Sequence, residues 1–249
     1  MASVIEHKEL EFTGEAYIPG KTPLRIALDH VARYRFAAKY AKDRNVLDVA
    51  CGEGYGSQRL LDAGAKSVTG VDLSGELIAH AAKKYTRGPL RFIKADISFY
   101  AAAPFDVIAC FETIEHVPDF QGAIKNLYRL LKPGGVLIIS SPNRPVTSPA
   151  RSFEDRPCNR FHSQEFTIPE MRALLEDHGF HTESSAVFGQ RLTGHNAAAH
   201  FVWKYLSPAY FANPFVRKIS NQTPRYFVLV ARKPRSESLP EIPGDNGAV

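Results

Sequence analysis

The sequence predicts an α/β fold in which a doubly wound, mostly parallel sheet of seven strands carries helices on both faces. Three observations predict it. From residue 46 onward, short apolar runs alternate with segments of helical period, the pattern of successive βα units. The first run, Val46 to Ala50, leads directly into a loop with glycines at 52, 54 and 56 and then into a helix. Twenty residues after Gly52, Asp72 closes the second run, where the carboxyl ends of parallel strands meet a ligand crevice.

The elements follow in order. Residues 1–45 precede the repeat and are expected to form a helical cap, with Val31 to Tyr40 as its helix. The main domain then spans 46–231. Tyr55 to Ala63 reads as a helix, Ser67 to Asp72 as a strand, and Leu77, Ala81 and Tyr85 recur at i, i+4 on the next helix. Leu90 to Ala95 and Phe105 to Cys110 are the third and fourth strands. Phe120, Ile124, Leu127 and Leu131 share one helix face, which Lys132-Pro133-Gly134-Gly135 ends. Val136 to Ser140 is the fifth strand, Ile168 to His178 a helix stopped by Gly179, and His181 to Phe188 with Arg225 to Ala231 a final pair of strands.

Two stretches interrupt this pattern. Residues 141–167, with Arg144, Arg151, Arg156 and Arg160, are longer than ordinary structureless connections and are expected to form a substrate loop. Its guanidinium groups suit a phosphate or carboxylate on an acceptor, the alternative being a solvated basic loop. Residues 189–224, a lid-like insertion before the last strand, contain FVWKYLSPAYFANPFV, which suits a lid, a homodimer surface, a substrate wall or extra core packing. The tail 232–249 has little to bury and is expected to be disordered.

Composition excludes only the extremes. Of 249 residues, 44% are hydrophobic and 23% charged, ordinary for a globular protein. No stretch approaches the ~18 unbroken apolar residues of a spanning helix, and the N-terminus lacks a signal-peptide core, so the expected location is the cytoplasm. Cys51, Cys110 and Cys158 show no zinc-ligand spacing and are expected to be reduced thiols. A net charge of +5 permits an anionic partner without requiring nucleic acid, which is not the expected partner.

A strand, a glycine loop and a carboxylate on the next strand suit a nucleotide-type cofactor, and the charge within the loop narrows the choice. Glu53 lies between the glycines and Asp48 just before them, an arrangement that would repel a pyrophosphate but suits a sulfonium and an amino group. At LDVACGEGYG and Asp72 the sequence resembles the class I S-adenosylmethionine-dependent methyltransferase superfamily, of the type that includes the ubiquinone methyltransferases. The resemblance implies a Rossmann-like fold and extends over roughly residues 44–140. It covers Ala95-Asp96-Ile97, taken to bracket the adenine, FDVIACFETIEHV at 105–117 and LKPGGVLIIS at 131–140. The cofactor-binding set it implies is Tyr34, Asp48, Ala50, Gly52, Gly54, Tyr55, Asp72, Leu73, Asp96, Ile97 and Phe111. EAYIPG at 15–20 and DHVARYRFA at 29–37 resemble the N-terminal part of members associated with sugar and polysaccharide biosynthesis, which sets Arg33 and Tyr34 near the cofactor.

Methyl transfer from a sulfonium is an in-line displacement, so the protein mainly aligns donor and acceptor, and a base assists when the acceptor is a hydroxyl. His116 is the first candidate, because an imidazole ordinarily titrates near neutrality. His162 is the second, as base, substrate holder or cap of Glu165, and His195 is read as a lid residue. Glu112, Glu115 and His116 are the candidate ligands of a divalent metal of the kind implicated in ubiquinone-type enzymes, but metal is not the favoured reading. The alternative places His116 beside substrate, starts a helical turn at Glu112 and leaves Glu115 structural or solvated. The expected activity is methylation of a small-molecule hydroxyl, on a sugar, glycoside or natural product. An RNA methyltransferase, a nicotinamide-dependent oxidoreductase and an inactive cofactor-binding protein are the competing readings.

Overall fold

The structure, a computed structural model, describes residues 17–193, 215–219 and 223–235. The helices are α1 (Leu24–Ala37), α2 (Tyr55–Asp62), α3 (Gly75–Tyr85), α4 (Phe120–Arg129), α5 (Arg144–Thr147) and α6 (Ile168–Asp177). The strands are β1 (Asn45–Val49), β2 (Ser67–Asp72), β3 (Leu90–Lys94), β4 (Phe105–Phe111), β5 (Leu131–Pro142), β6 (His181–Thr193), β7 (Arg217–Lys218) and β8 (Thr223–Arg232).

They form one sheet in the order β3-β2-β1-β4-β5-β8-β6-β7. The first five strands in that order are parallel; β8, β6 and β7 complete the sheet antiparallel. The chain winds outward from β1 through β2 to β3, then returns to place β4 on the other side of β1. A topological switch point therefore lies between β1 and β4, where the loops leaving the two strands diverge and open a crevice. One strand more than expected is present, the two-residue β7, paired to Phe188 and Gly189 of β6. It falls in the stretch expected as an insertion, and β6 itself runs five residues beyond the apolar run that announced it.

Both faces of the sheet are buried, which is why the central strands read as nearly unbroken apolar runs. Leu47, Val49 and Ile108 point to the face covered by Ile124 and Leu127 of α4 and by Met171 and Leu175 of α6. Val46, Val68 and Val107 point to the opposite face, against Tyr34 and Phe36 of α1 and Leu60 of α2. Asp48, two residues from Val46, shares that second face. Helix starts follow capping chemistry: Ser74 accepts from Leu77 N–H, Asp119 from Gly122 N–H, and Thr167 with Glu170 forms a capping box. Helix α1 begins at Leu24, seven residues before its apolar pattern becomes clear, because Pro23 stands at its N-cap. Among the described residues no helix is long and apolar enough to cross a membrane.

Candidate active site

A cavity of about 350 Å3 opens beside the switch point, at the carboxyl ends of β1, β2 and β4. Its floor is the glycine loop, where Ala50, Gly52 and Gly54 all take positive φ, at 53°, 58° and 92°. Gly52 is on the cavity wall, with no atom within 4 Å of where a side chain would begin, so its backbone is open to a ligand. Gly54 is not on the wall. It caps α2 in the left-handed region, and a Cβ there would stand 2.8 Å from Ala81 and from the Phe92 ring, so only glycine fits.

Asp72 is on the wall and also holds the loop: Oδ2 accepts from Gly52 N–H and Oδ1 from Ser74 N–H, both at 2.9 Å. A carboxylate has about four acceptor positions, so acceptor capacity remains on the side that faces the cavity. Leu73, 68% exposed, lines the same side with Ile97 and Asp96. Asp96 is oriented by its acceptance from Ser98 N–H at 2.8 Å. One side of the wall is aromatic: Tyr34 meets Tyr55 and Phe111 edge-on, each with 5.2 Å between ring centroids, and Tyr55 packs on Tyr17.

Two acidic residues of the first motif stand elsewhere than the sequence suggested. Asp48 is fully buried behind the loop and not on the wall; its oxygens accept from Tyr34 OH at 2.9 Å and Ser57 Oγ at 2.6 Å. It fixes α1 and α2 against the loop from behind. Burial pushes its carboxyl up to about 7, although the Ser57 and Tyr34 hydroxyls pull it down. Glu53 also turns away from the cavity, to Lys84 Nζ at 3.1 Å and Tyr85 OH, so it lends the loop no free charge. The acidic wall groups are instead Asp72, Asp96 and Glu112.

A second cavity of about 290 Å3 adjoins the first, and His30, Glu112 and His116 line both. Its walls are mostly polar, from Arg25, Asp29 and Arg33 of α1, from Glu115, from Thr147, Asn159, His162 and Glu165, and from Arg225 and Tyr226 of β8. His116 Nδ1 lies 3.0 Å from the Phe161 carbonyl, which can only accept; Nδ1 thus carries the proton of the neutral ring and Nε2 the lone pair. The His162 ring meets His116 edge-on with centroids 4.8 Å apart. Its Nδ1 is 2.6 Å from Glu165 Oε1 and its Nε2 2.8 Å from Asn159 Nδ2, so both nitrogens are engaged. Although burial opposes it, the hydrogen bonds from His162 and Thr147 hold the Glu165 carboxyl below its ordinary range.

Glu112 is held in a positive-φ turn, φ 49°, by its own N–H and carboxylate bonded to Ser140, and Arg33 Nη1 lies 3.7 Å away. Glu115 is buried, not solvated, and among the described residues neither of its oxygens has a partner of good hydrogen-bond geometry, Ser141 being the hydroxyl that eases its charge. Donor atoms of Glu115, His116 and His162 lie within 4.8 Å of one another. They fit a metal poorly, since His162 is committed at both nitrogens and Glu112, the third ligand expected from sequence, is committed to Ser140.

The four loop arginines are on neither wall. Arg144 is buried against Glu170, Arg160 lies over the Phe161 ring, and Arg151 and Arg156 are exposed. The guanidinium groups that do line the second cavity come from α1 and β8. His30 and Tyr17 were missed at the level of sequence. His30 precedes Tyr34 by four residues on α1, a spacing that puts both on one helix face and could have revealed it. Its ring stacks on Tyr17 at 5.5 Å, and burial and Arg33 push it well below the ordinary imidazole value, so it is neutral. His195 lies outside the described residues.

This geometry agrees with the comparisons to known proteins. Residues 25–185 match the methyltransferase-domain family. A probable S-adenosylmethionine-dependent methyltransferase of Mycolicibacterium smegmatis is 36% identical over 71% of this chain and 67% of its own length. A ubiquinone biosynthesis O-methyltransferase of Coxiella burnetii is 44% identical over 41% of this chain and 45% of its own. The chain thus spans between 45% and 67% of the length of these two curated relatives. A crystal structure of an S-adenosylmethionine-dependent methyltransferase from Mesorhizobium loti superposes with a TM-score of 0.59 at 19% identity, covering 82% of this chain and 99% of that one. A glycine loop under an open cavity, with a carboxylate at the end of the second strand, is an arrangement that suits a nucleoside-containing cosubstrate. The chain belongs to the class I S-adenosylmethionine-dependent methyltransferases, and S-adenosylmethionine is its cosubstrate.

Proposed function

We propose that the chain transfers the methyl group of S-adenosylmethionine to a hydroxyl of a small molecule, with a sugar, glycoside or related natural product as the acceptor. The observation that carries this reading is the junction between the two cavities. A donor in the first and an acceptor in the second would meet where His30, Glu112 and His116 line both. Donor and acceptor are thereby brought into line, which is the main requirement of the displacement.

In this reading Asp72 holds the ribose, Gly52 leaves room beside the loop, and Leu73, Asp96 and Ile97 receive the adenine. Tyr34, Tyr55 and Phe111 exclude water from the aliphatic part of the donor. His116 Nε2 takes the hydroxyl proton as oxygen attacks the methyl carbon; the carbon–sulfur bond breaks and S-adenosylhomocysteine leaves with both bonding electrons on sulfur. His162, engaged at both nitrogens, positions the 141–167 loop and the ring of His116 rather than accepting a proton itself. Residues 17–45 act as the roof shared by both cavities, and 141–167 as the acceptor loop through Thr147, Asn159, His162 and Glu165. The stretch similar to a ubiquinone O-methyltransferase supports oxygen as the atom methylated.

The test is incubation with S-adenosylmethionine and a panel of monosaccharides, glycosides, phenols and amines, read by mass spectrometry for a single added methyl group. Methylation confined to hydroxyl acceptors is expected. Methylation of amines alone would overturn the choice of oxygen.

A further inference from the structure

Glu115 has no task in the transfer just described, yet it is the least satisfied group in the second cavity. Its side chain is completely excluded from solvent, and among the described residues neither carboxyl oxygen has a partner of good hydrogen-bond geometry, with Ser141 and Arg33 as the groups that ease its charge. A buried carboxyl left in this way is costly to hold. Each of the other acidic groups on the same walls has at least one oxygen paired. Glu112 accepts from Ser140, Glu165 from Thr147 and His162, and Asp29 from Arg191 at one of its two oxygens. The Glu115 backbone is anchored, since its carbonyl accepts from Ser163 N–H at 2.6 Å and Gln164 N–H at 3.1 Å. The carboxyl is therefore held in place on the wall, one residue from His116 at the junction.

Among the described residues of this cavity's wall, only Ile26, Pro142 and the Tyr226 ring contribute apolar side chains. Tyr226 carries Arg33 over its ring at 5.5 Å, a flat platform that suits the face of a small ring bearing hydroxyls. A chamber of this polarity does not suit an extended apolar acceptor. We propose that Glu115 recognises the acceptor by binding a second hydroxyl adjacent to the one methylated, so that the substrate class is a vicinal diol and the product its mono-methyl ether.

Consecutive residues then divide the work: His116 meets the reacting hydroxyl and Glu115 its neighbour. Burial and the nearby charge of Glu112 push the Glu115 carboxyl well above its ordinary range. A carboxyl oxygen on the wall accepts from the neighbouring hydroxyl whether or not the group holds a proton. Glu115 neither gains nor loses a proton in the reaction; the proton of the methylated hydroxyl goes to His116.

This inference rests on the assignment of the second cavity to the acceptor, and its test keeps the two separable. Protein loaded with S-adenosylhomocysteine is titrated, with saturation-transfer NMR as the readout, with trans-1,2-cyclohexanediol and catechol and with the single-hydroxyl controls cyclohexanol and phenol. The expected result is a preference of roughly tenfold or more for a diol over its control. Glu115→Ala abolishes that preference, whereas Glu115→Gln, which keeps a donor and an acceptor in one plane, retains most of it. Affinity for S-adenosylhomocysteine, unchanged in both variants, shows that the fold and donor site survive. Its absence in the unaltered protein would count against the methyltransferase reading itself.

Binding of catechol but not cyclohexanediol keeps the vicinal pair and moves the class to aromatic diols. Equal binding of diols and controls by the unaltered protein overturns the proposal. So does loss of the preference in Glu115→Gln as severe as in Glu115→Ala, accompanied by Mn2+ bound to the unaltered protein in electron paramagnetic resonance; Glu115 would then be a cation ligand.

Discussion

Replacing Asp48 by asparagine should make the protein more stable above neutrality while leaving its donor site in place. Asp48 lies in the core, bonded only to the hydroxyls of Tyr34 and Ser57, and its carboxyl is raised to about 7. An ordinary aspartate titrates near 4, so ionising this one in the fold costs about 4 kcal/mol more than in the unfolded chain. Between about pH 4 and 7 the folded state holds a proton that the unfolded state has released. Stability therefore falls as pH rises through that window, at up to about 1.4 kcal/mol per pH unit, and levels off above it. Asparagine carries no such penalty, because its amide pairs with both hydroxyls at the modest cost of reorienting one of them, about 1 kcal/mol. Calorimetric melting of the two proteins from pH 5 to 8 should show a crossing. The variant melts slightly lower at pH 5 and several degrees higher at pH 8, where each kcal/mol corresponds to about 2–4 °C in a chain of this size. Melting curves that stay parallel across this range would refute the idea that Asp48 titrates inside the fold.

Three further outcomes follow from the geometry. Asp72→Ala removes the acceptor for Gly52 and Ser74 as well as for the ribose, and should weaken S-adenosylhomocysteine binding at least about 100-fold by calorimetric titration; undiminished affinity would contradict the donor-site assignment. His116→Ala should lower methyl transfer by about 100-fold with little change in S-adenosylhomocysteine affinity, and an unchanged rate would remove it as the base. Gly56→Ala forces a methyl group to within 2.0 Å of the Tyr34 ring. The overpacking should cost about 1–3 kcal/mol in denaturant unfolding, and an unaltered midpoint would mean that Tyr34 moves freely.

The parts of the fold legible in the sequence are those in which a local pattern and the tertiary demand coincide. In Ser67–Asp72 the two valines, Val71 and Val68, are buried on opposite faces of the sheet, and the strand's limits were read to the residue. Gly52 and Gly54 occupy positions that only a tight strand-to-helix turn creates, so the loop announced itself. What the sequence concealed was direction. Glu53 has the right charge at the right place in the chain, but Lys84 and Tyr85 on the next helix turn it away. The loop arginines formed a visible basic cluster, yet Arg144 is drawn inward by Glu170 while Arg25 and Arg33 of α1 meet Arg225 of β8, far from them in sequence, at the second cavity. Spacing placed Glu112 with Glu115 and His116; the fold instead brings in His162, 46 residues beyond His116, and ties Glu112 to Ser140.

The link between the first described helix and the far edge of the sheet has a consequence for how the protein is made. Arg191 donates to the Asp29 carboxylate at 2.7 Å and Gln190 to the Asp29 carbonyl at 3.1 Å, across separations of 162 and 161 residues. Gln190 also receives Arg33, so β6 holds α1 in place over both cavities. The residues that line the first cavity all lie between Tyr17 and Pro118, and the helix that roofs it, already packed on β1 and α2, gains its outer anchor only once β6 exists. On the ribosome, where such long-range contacts form late, the nascent chain therefore carries every residue of that cavity before its roof is fully held. Affinity for the cosubstrate should rise a second time as β6 emerges, instead of being complete with the last residue of the cavity wall.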